Sequence, residues 1–129
     1  IGKAKTLKKG SRIAILSNGF IGTNVIPALA QIKNPHDFAH YDFSFVKPLD
    51  ENLLHEIFTS FESIITLENG TIKGGFGSSI IEFASTNGYH LPVKILGIPD
   101  EFIEHGTVEE LQKYSKINVE SLKNAFESY

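Results

Sequence analysis

A glycine-rich turn that follows an acidic residue is the strongest candidate for chemistry in this sequence. An apolar run ends at Glu68, glycines follow, and a helical apolar pattern begins near Ile80. Glycine leaves backbone amides uncovered, and the first turn of a helix has free N–H groups and a partial positive charge. A phosphate, a carboxylate or a protein carboxyl group would be favoured there. The candidate residues of this anion-binding or interface turn are Glu68, Gly74, Gly75, Gly77, Ser78 and Ser79.

Familiar nucleotide and hydrolase motifs do not fit this turn. No Lys followed by Ser or Thr comes after the glycines, which excludes a P-loop. Ile80 stands where the dinucleotide-binding fingerprint needs its third glycine, and where a nucleophile elbow around Ser78 needs a glycine. The alternative is a tight turn that binds no ligand, with the acid capping the following helix.

A second candidate is the loop that contains Asp100 and His105. A histidine beside acids can act as a base with a raised pKa. Glu68 and Asp100, the acids at two strand ends, could together do acid–base work. The alternative is a His105 that hydrogen-bonds loop backbone and shapes the next helix start. His36 and His40 have a metal-pair spacing but straddle a loop–strand boundary, so we predict no metal site. The motifs together form no complete catalytic apparatus, so we predict no catalytic residue.

Composition and charge narrow the class of protein. The chain has 129 residues, 41% of them hydrophobic and 21% charged, which suits one domain over residues 1–129 with residues 1–4 as an incoming linker. A net charge of −3 gives no case for nucleic acid or an anionic membrane. There is no cysteine, no membrane-length apolar run and no signal-peptide pattern, which suits a reducing compartment such as the cytoplasm. The absence of methionine predicts that the chain is processed or is a piece of a longer protein.

The apolar pattern predicts a β-α-β-α-β-α-β-α-α order. This alternation predicts an α/β fold of three layers, a mostly parallel doubly wound sheet with one antiparallel edge strand. The edge strand, at 6–7, is joined to the next strand by a short turn and would form a hairpin with it. The other predicted strands are 12–17, 41–46, 63–67 and 92–98.

The predicted helices have recognisable ends and inner faces. The first runs from 22 to 33 with Val25, Ile26, Leu29 and Ile32 turned inward. Asp50 caps the second, the third ends at the Asn-Gly pair at 87–88, a capping box at 107–110 opens the fourth, and Asn118 caps the last.

Several segments, in order, resemble one family over essentially the whole chain. They are GKA (2–4), AILSNG (14–19), FSFVKPLD (43–50), TLENG (66–70), GGFGS (74–78) and GIPDEFIEHG (97–106). This series closely resembles the C-terminal domain of the 1-deoxy-D-xylulose-5-phosphate synthase family, which has the transketolase C-terminal fold. Asn69 departs from the family pattern, because a second acid is common at that position.

The resemblance implies a fragment of a transferase that joins decarboxylated pyruvate to glyceraldehyde 3-phosphate for isoprenoid, thiamin and pyridoxal precursors. Members of the family use thiamin diphosphate and Mg²⁺ held by earlier domains, so this domain would bind no cofactor and be inactive alone. Its implied partners are the preceding domains and a homodimer partner, in a bacterial cytoplasm or a plastid. Candidate interface aromatics are Phe20, Phe38, Tyr41, Phe76 and Phe102, most of which we expect in the core.

Two alternatives remain open from the sequence. One is a free-standing, non-catalytic module that binds a small anion at residues 74–79. The other is the C-terminal domain of a related enzyme, such as a transketolase or the β chain of a 2-oxo-acid dehydrogenase.

Overall fold

The computed structural model describes residues 2–44, 48–71, 75–98, 107–114 and 116–129. The strands are β1 (Lys5–Lys8), β2 (Ile13–Asn18), β3 (Phe38–Asp42), β4 (Ser63–Thr71) and β5 (Val93–Ile98). The α-helices are α1 (Val25–Leu29), α2 (Glu51–Ser60), α3 (Phe76–Thr86), α4 (Val108–Tyr114) and α5 (Val119–Glu127). Short 3-10 helices at Phe20–Asn24 and Pro35–Asp37 precede α1 and β3.

The five strands form one sheet in the order β1-β3-β2-β4-β5. Strands β3, β2, β4 and β5 are parallel, and β1 pairs antiparallel with β3 at the edge. The predicted α/β class, with a mostly parallel doubly wound sheet and an antiparallel edge, is therefore confirmed. The fold places the carboxyl ends of four strands along one edge of the sheet, where ligands of such domains usually bind.

Strand alternation divides the core into two layers. In β2, Ile13 and Ile15 face α1 and α5, whereas Ala14 and Leu16 face α2 and α3. All four side chains are buried, as expected for a central parallel strand that is covered on both faces. Both faces of the sheet are thus covered by helices of this chain.

The helix ends largely follow the sequence signals. Asp50 accepts a hydrogen bond from the Leu53 amide and so caps α2. In the capping box of α4, Thr107 and Glu110 exchange two hydrogen bonds of 3.1 Å. Asn118 caps α5 through the Ser121 amide. These predictions are confirmed because each cap depends on residues close together in sequence.

The predicted hairpin between β1 and the next strand is wrong. Both sides of β2 are occupied by the parallel strands β3 and β4, so β1 pairs with β3 instead. Gly10 permits this path, because an added Cβ there would overlap the backbone of Phe38. The Arg12 amide then donates to the Asp37 carbonyl at 2.9 Å and leads the chain into β2.

The first helix is shorter than predicted, and one inward residue is wrong. A 3-10 segment precedes α1, which ends at Leu29. Val25 and Leu29 are buried as predicted, and Ile32 lies in the same core, but Ile26 is 64% exposed. Ala28 takes its place on the inner stripe, since Val25, Ala28 and Leu29 share one helical face while Ile26 lies beside it.

The second parallel strand also begins earlier than predicted. It covers Phe38–Asp42 and not residues 41–46, of which 45 and 46 lie outside the described residues. The apolar pattern did not predict this start, because the polar residue His40 interrupts it, although the His40 side chain is buried. The third parallel strand continues past Leu67 to Thr71.

Candidate functional site

The reversal of strand order gives the fold one natural ligand crevice. The chain moves from β2 outward to β3 and then returns to β4 on the other side of β2. In doubly wound sheets, ligands bind outside the carboxyl ends of the two strands at this switch point. Here β2 ends at Asn18, and the last residue of β4 that pairs with β2 is its register partner Glu68.

Glu68 occupies the helix terminus that faces this crevice. Its Oε1 accepts from the Phe76 amide at 2.9 Å, and its Oε2 accepts from the Gly77 amide at 2.8 Å. The side chain is 2% exposed. Burial raises the pKa of the Glu68 carboxyl, while the two amide bonds act in the opposite direction. An internal carboxyl group therefore binds the amides that an external anion would use.

Asn69, the next residue of β4, contacts the turn that follows β2. Its Oδ1 accepts from the Ile21 amide at 2.6 Å, in the 3-10 segment that follows β2. Gly19 has φ of +99°, and a Cβ added there would lie 2.8 Å from that Oδ1. The turn after β2 is therefore held against the end of β4 by a side chain of the protein itself.

Gly77 is explained by packing. A Cβ added at Gly77 would lie 2.7 Å from Thr66 Oγ1 and 2.8 Å from Ile95 Cγ2. Glycine therefore lets the first turn of α3 lie close to β4 and β5. Thr66 Oγ1 is buried and has no hydrogen-bond partner within the ranges that the structure describes.

The rest of the predicted turn is distributed around the start of α3. Gly75 holds the N-cap position without a side-chain cap, and Ser79 Oγ donates to the Gly75 carbonyl at 3.4 Å. Ser78 is half-buried in the first turn. Gly74, together with Asp100 and His105 of the predicted loop site, lies outside the described residues. Ligand binding at the turn and at the loop stays a prediction.

Sequence reasoning missed a buried polar pair behind this edge. Ser17 Oγ and His40 Nε2 share a hydrogen bond of 2.7 Å between the adjacent strands β2 and β3. Both residues are 1% exposed. A Cβ added at Gly22 would lie 2.6 Å from Ser17 Oγ, so the 3-10 turn closes over the pair. Predicting this pair from the sequence would have required starting β3 at Phe38, because that start places His40 inside the sheet.

The His40 imidazole is neutral at neutral pH. Burial lowers its pKa from 6.5 to about 4, and the negative charge of Asp42 offsets a part of this effect. A hydroxyl and an imidazole in contact can serve nucleophilic catalysis. Here both groups are covered, so the pair joins the two strands and holds no accessible nucleophile.

Metal-binding clusters and membrane-spanning helices are both missing from the described part of the chain. Across the described ranges, His, Cys, Asp and Glu side chains do not gather in threes as a metal site would require. None of the helices described has the length and apolar character to span a bilayer.

The fold and the strand-end turn define a class of α/β domain that comparison with known proteins identifies. The family described as "Transketolase, C-terminal domain" matches residues 2–122. The chain therefore belongs to the transketolase C-terminal domain family.

Curated relatives are more specific. The chain is 51% identical over 123 residues to the 1-deoxy-D-xylulose-5-phosphate synthase of Parabacteroides distasonis, and 45% identical over 124 residues to that of Bacteroides thetaiotaomicron. The matches cover 95% of this chain but 20% and 19% of those proteins. The chain thus spans about a fifth of the length of these relatives, and the resemblance found in its motifs is confirmed.

Solved structures agree with this assignment. A "Split gene transketolase, inactive beta4 tetramer" superposes with a TM-score of 0.85 at 25% identity, over 98% of this chain and 42% of that one. The transketolase of Campylobacter jejuni has a TM-score of 0.65 at 16% identity, over 99% of this chain and 19% of that one, and shows the fold alone.

Proposed function

We propose that this chain is the C-terminal domain of a 1-deoxy-D-xylulose-5-phosphate synthase, in which it is a scaffold and supports the dimer. The observation that carries this proposal is 51% identity to such a synthase over 95% of the chain. The parent enzyme would condense pyruvate, with loss of CO₂, with glyceraldehyde 3-phosphate. Its product would supply isoprenoid, thiamin and pyridoxal precursors in a bacterial cytoplasm.

In this proposal the cofactor is bound by the preceding domains. Thiamin diphosphate supplies the carbanion chemistry of such enzymes, and Mg²⁺ holds its diphosphate. At the switch point, Glu68 and Asn69 accept from backbone amides of the protein itself. This observation supports a structural role for the domain.

The proposed partners are the preceding domains of the same chain and a second copy of the enzyme. The split-gene transketolase is a tetramer of chains that contain the same fold. That assembly is a property of that protein, but it supports the view that domains of this type can lie within a larger oligomer.

A domain exchange tests the function. The C-terminal domain of the Parabacteroides distasonis synthase would be replaced by this chain, and by the matching domain of the Campylobacter jejuni transketolase as the control. We expect the first chimera to retain synthase activity to within a few-fold and the control to lose it. A folded first chimera that makes no 1-deoxy-D-xylulose 5-phosphate would contradict the proposal, and transketolase activity in its place would favour the related-enzyme alternative.

The anion-binding role predicted for residues 74–79 needs its own test. An external anion would have to compete with the Glu68 carboxylate for the Phe76 and Gly77 amides. A thermal-shift titration of this chain with phosphate and phosphosugars measures that competition. Stabilisation at millimolar ligand would support an anion-binding module, and a flat response would support the scaffold.

A further inference from the structure

Three Asn-Gly pairs occur in the sequence, at residues 18–19, 69–70 and 87–88. In such a pair the amide nitrogen of the glycine can attack the side-chain carbonyl carbon of the asparagine, because glycine has no side chain to obstruct the approach. The product is a succinimide ring, which water opens to aspartate or isoaspartate. Residue types alone make the three pairs equivalent, and the structure distinguishes them.

The first pair is held at the end of β2. Asn18 pairs in register with Glu68 of β4, and its Nδ2 donates to the Phe43 carbonyl at 2.6 Å. Ring closure draws the nitrogen of Gly19 towards Cγ of Asn18, so the side chain must leave this bond and the backbone must leave the sheet. Opening a central strand costs a large part of the free energy of global unfolding, so we expect this pair to be protected.

The second pair is held within β4, whose range of Ser63–Thr71 includes Asn69 and Gly70. Asn69 Oδ1 accepts from the Ile21 amide at 2.6 Å. The same oxygen lies against Gly19, where an added Cβ would be 2.8 Å away. Attack on Asn69 would detach the turn after β2 from the end of β4, so we expect this pair to be protected as well.

The third pair lies at the end of a helix. Helix α3 stops at Asn87 and continues into a Schellman turn. In that turn the Gly88 amide donates to the Ser85 carbonyl at 3.3 Å, and the Tyr89 amide donates to the Ala84 carbonyl at 2.9 Å. Gly88 has φ of +74°, and a Cβ added there would have no atom of the described residues within 4 Å.

The hydrogen bonds at the reacting atoms of this pair are close to solvent. Asn87 Nδ2 donates to the Phe83 carbonyl at 2.9 Å, and Gly88 is bonded only by the longer contact above. Asn87 and Gly88 are both exposed, whereas Asn18 and Asn69 are half-buried. Water can therefore replace both bonds when the turn opens, and helix ends open at far lower cost than central strands.

We propose that Asn87 is the residue at which the folded chain deamidates, by attack of the Gly88 nitrogen. That nitrogen bonds to Asn87 Cγ and gives up its proton, the Cγ–Nδ2 bond breaks, and ammonia carries the proton away. Water then cleaves the ring. Cleavage of the new bond to Cγ gives aspartate, and cleavage at the backbone carbonyl carbon gives isoaspartate, in which the main chain runs through Cγ. The reaction needs no further reactant and does not depend on the proposed function.

Tyr89 controls how often the turn opens. Its ring stacks on Phe58 with the centroids 5.0 Å apart, and its hydroxyl shares a hydrogen bond of 2.6 Å with His55 Nδ1. Phe58 and His55 both lie on α2. The residue that follows the reactive pair is therefore anchored to a neighbouring helix, and this anchor sets the rate of deamidation.

The products loosen the connection between α3 and β5. A carboxylate cannot donate to the Phe83 carbonyl as Asn87 Nδ2 does. Its negative charge also lies at the C-terminus of α3, where the helix dipole disfavours it. Isoaspartate lengthens the main chain by a methylene group and so shifts Tyr89 relative to its partners on α2.

Peptide mapping of the aged chain tests the choice of site. Trypsin cuts after Lys and Arg except before proline, so the three pairs fall in separate peptides, 13–33, 34–73 and 74–94. After incubation of the native chain at mildly alkaline pH, isoaspartate should accumulate in 74–94 about tenfold faster than in the other two peptides. In concentrated urea the three rates should become similar. Asn87→Gln should abolish the product in 74–94, because its longer side chain disfavours ring closure.

The dependence of each rate on urea tests the local opening. Below the unfolding transition, urea promotes global opening much more than fraying of a helix end. The rates at Asn18 and Asn69 should therefore rise with urea, while the rate at Asn87 stays nearly constant.

A matched pair of variants tests the anchor. Tyr89→Ala removes both contacts with α2 and should speed deamidation of Asn87 severalfold, with little change at Asn18 and Asn69. Tyr89→Phe keeps the stacking on Phe58 and loses only the hydrogen bond to His55, so its effect should be smaller.

A second pair of variants tests the consequence for stability. Asn87→Asp should lower the melting temperature by about 2–5 °C. Asn52→Asp is the control, because Asn52 is exposed in the first turn of α2, where the helix dipole favours a negative charge. It should leave the melting temperature unchanged or raise it.

Three results would overturn the proposal. The first is a native chain in which 74–94 converts no faster than 13–33 or 34–73. The second is a rate at Asn87 that rises with urea in parallel with the other two, since the reaction would then require global unfolding. The third is a rate at Asn87 that Tyr89→Ala leaves unchanged.

Discussion

Glu68 and Asn69, two consecutive residues of β4, fix elements on opposite faces of the sheet. Glu68 accepts the Phe76 and Gly77 amides at the start of α3, and Asn69 accepts the Ile21 amide after β2. Successive side chains of a strand point to opposite faces, so one strand end can serve both layers. Within the described residues, side chains of the protein itself therefore bind backbone amides at the strand ends where ligands of such folds usually lie.

Removing the Glu68 carboxyl group should destabilise the chain. Glu68→Ala leaves two buried amides at the helix start without an acceptor, which costs about 2 kcal/mol. Glu68→Gln retains one acceptor and removes the cost of burying a charge, so its effect should be smaller. Urea unfolding at pH 7 measures both. Equal losses for the two variants would contradict the capping role.

The raised pKa of Glu68 also fixes the sign of a pH effect. The folded state holds the proton more tightly than the unfolded state, whose carboxyl titrates near 4.5. Stability from this group is full below that pH and is lost as the pH rises through the folded pKa. The stability of the native chain relative to Glu68→Gln should therefore decline above pH 4.5, and a rising difference would show that the pKa is lowered instead.

Replacing Asn69 by Asp should preserve the stability of the chain, whereas replacing it by Ala should lower it. Asn69→Asp keeps an oxygen for the Ile21 amide, so the free energy of unfolding should change little. Asn69→Ala leaves that amide without its acceptor and opens a gap beside Gly19, costing about 1–2 kcal/mol. Chemical denaturation distinguishes the two, and a larger loss for Asn69→Asp would contradict this contact.

The close approach of α3 to the sheet predicts a coupled pair. Gly77→Ala forces a Cβ against Thr66 Oγ1 and Ile95, which should cost about 1–3 kcal/mol. Thr66→Ala removes the hydroxyl and should relieve a part of that cost. The double variant should thus be more stable than the sum of the two single changes predicts. Strict additivity would show that Ile95 alone limits the approach.

Acid should destabilise the chain through His40. The unfolded state binds a proton near pH 6.5 and the folded state only near 4, because burial lowers the pKa of the imidazole. The contribution of neutral His40 is thus complete above pH 6.5 and is lost as the pH falls towards 4. A shift of this size corresponds to about 3 kcal/mol.

The matched variants for this prediction are His40→Gln and Ser17→Ala. His40→Gln removes the titration, so its unfolding free energy should change less between pH 6.5 and 4 than that of the native chain. Ser17→Ala keeps the imidazole and should retain the pH dependence at lower overall stability. Parallel curves for the native chain and His40→Gln would show that His40 is not the group responsible.

The candidate turn could be predicted from the sequence because it depends on local signals. The acid at Glu68 and the end of α3 at Asn87 follow from residue types at close spacing, whereas α3 begins at Phe76, earlier than the apolar pattern near Ile80 indicates. The sequence leaves open which group accepts from the amides at the start of α3, since an external anion and the Glu68 carboxylate both fit the same pattern. Side-chain positions across the β4–α3 connection decided it.

The errors share one physical cause. The partner of β1, the exposed Ile26 and the early start of β3 all depend on residues far apart in sequence. From its residue type alone, His40 is expected at the surface. Its burial is explained only by Ser17, which lies beside it on the neighbouring strand. Local propensity contains no information about such a neighbour.

The sequence by itself determined the alternation of strands and helices, the caps, the doubly wound class and the family, because periodicity, capping residues and motifs lie within short stretches of chain. The tertiary structure alone decided that Glu68 and Asn69 accept from backbone amides at the switch point, that His40 is buried, and that Phe20 and Ile26 are exposed. Burial and hydrogen bonding between distant segments become defined only when the strands take their order in the sheet.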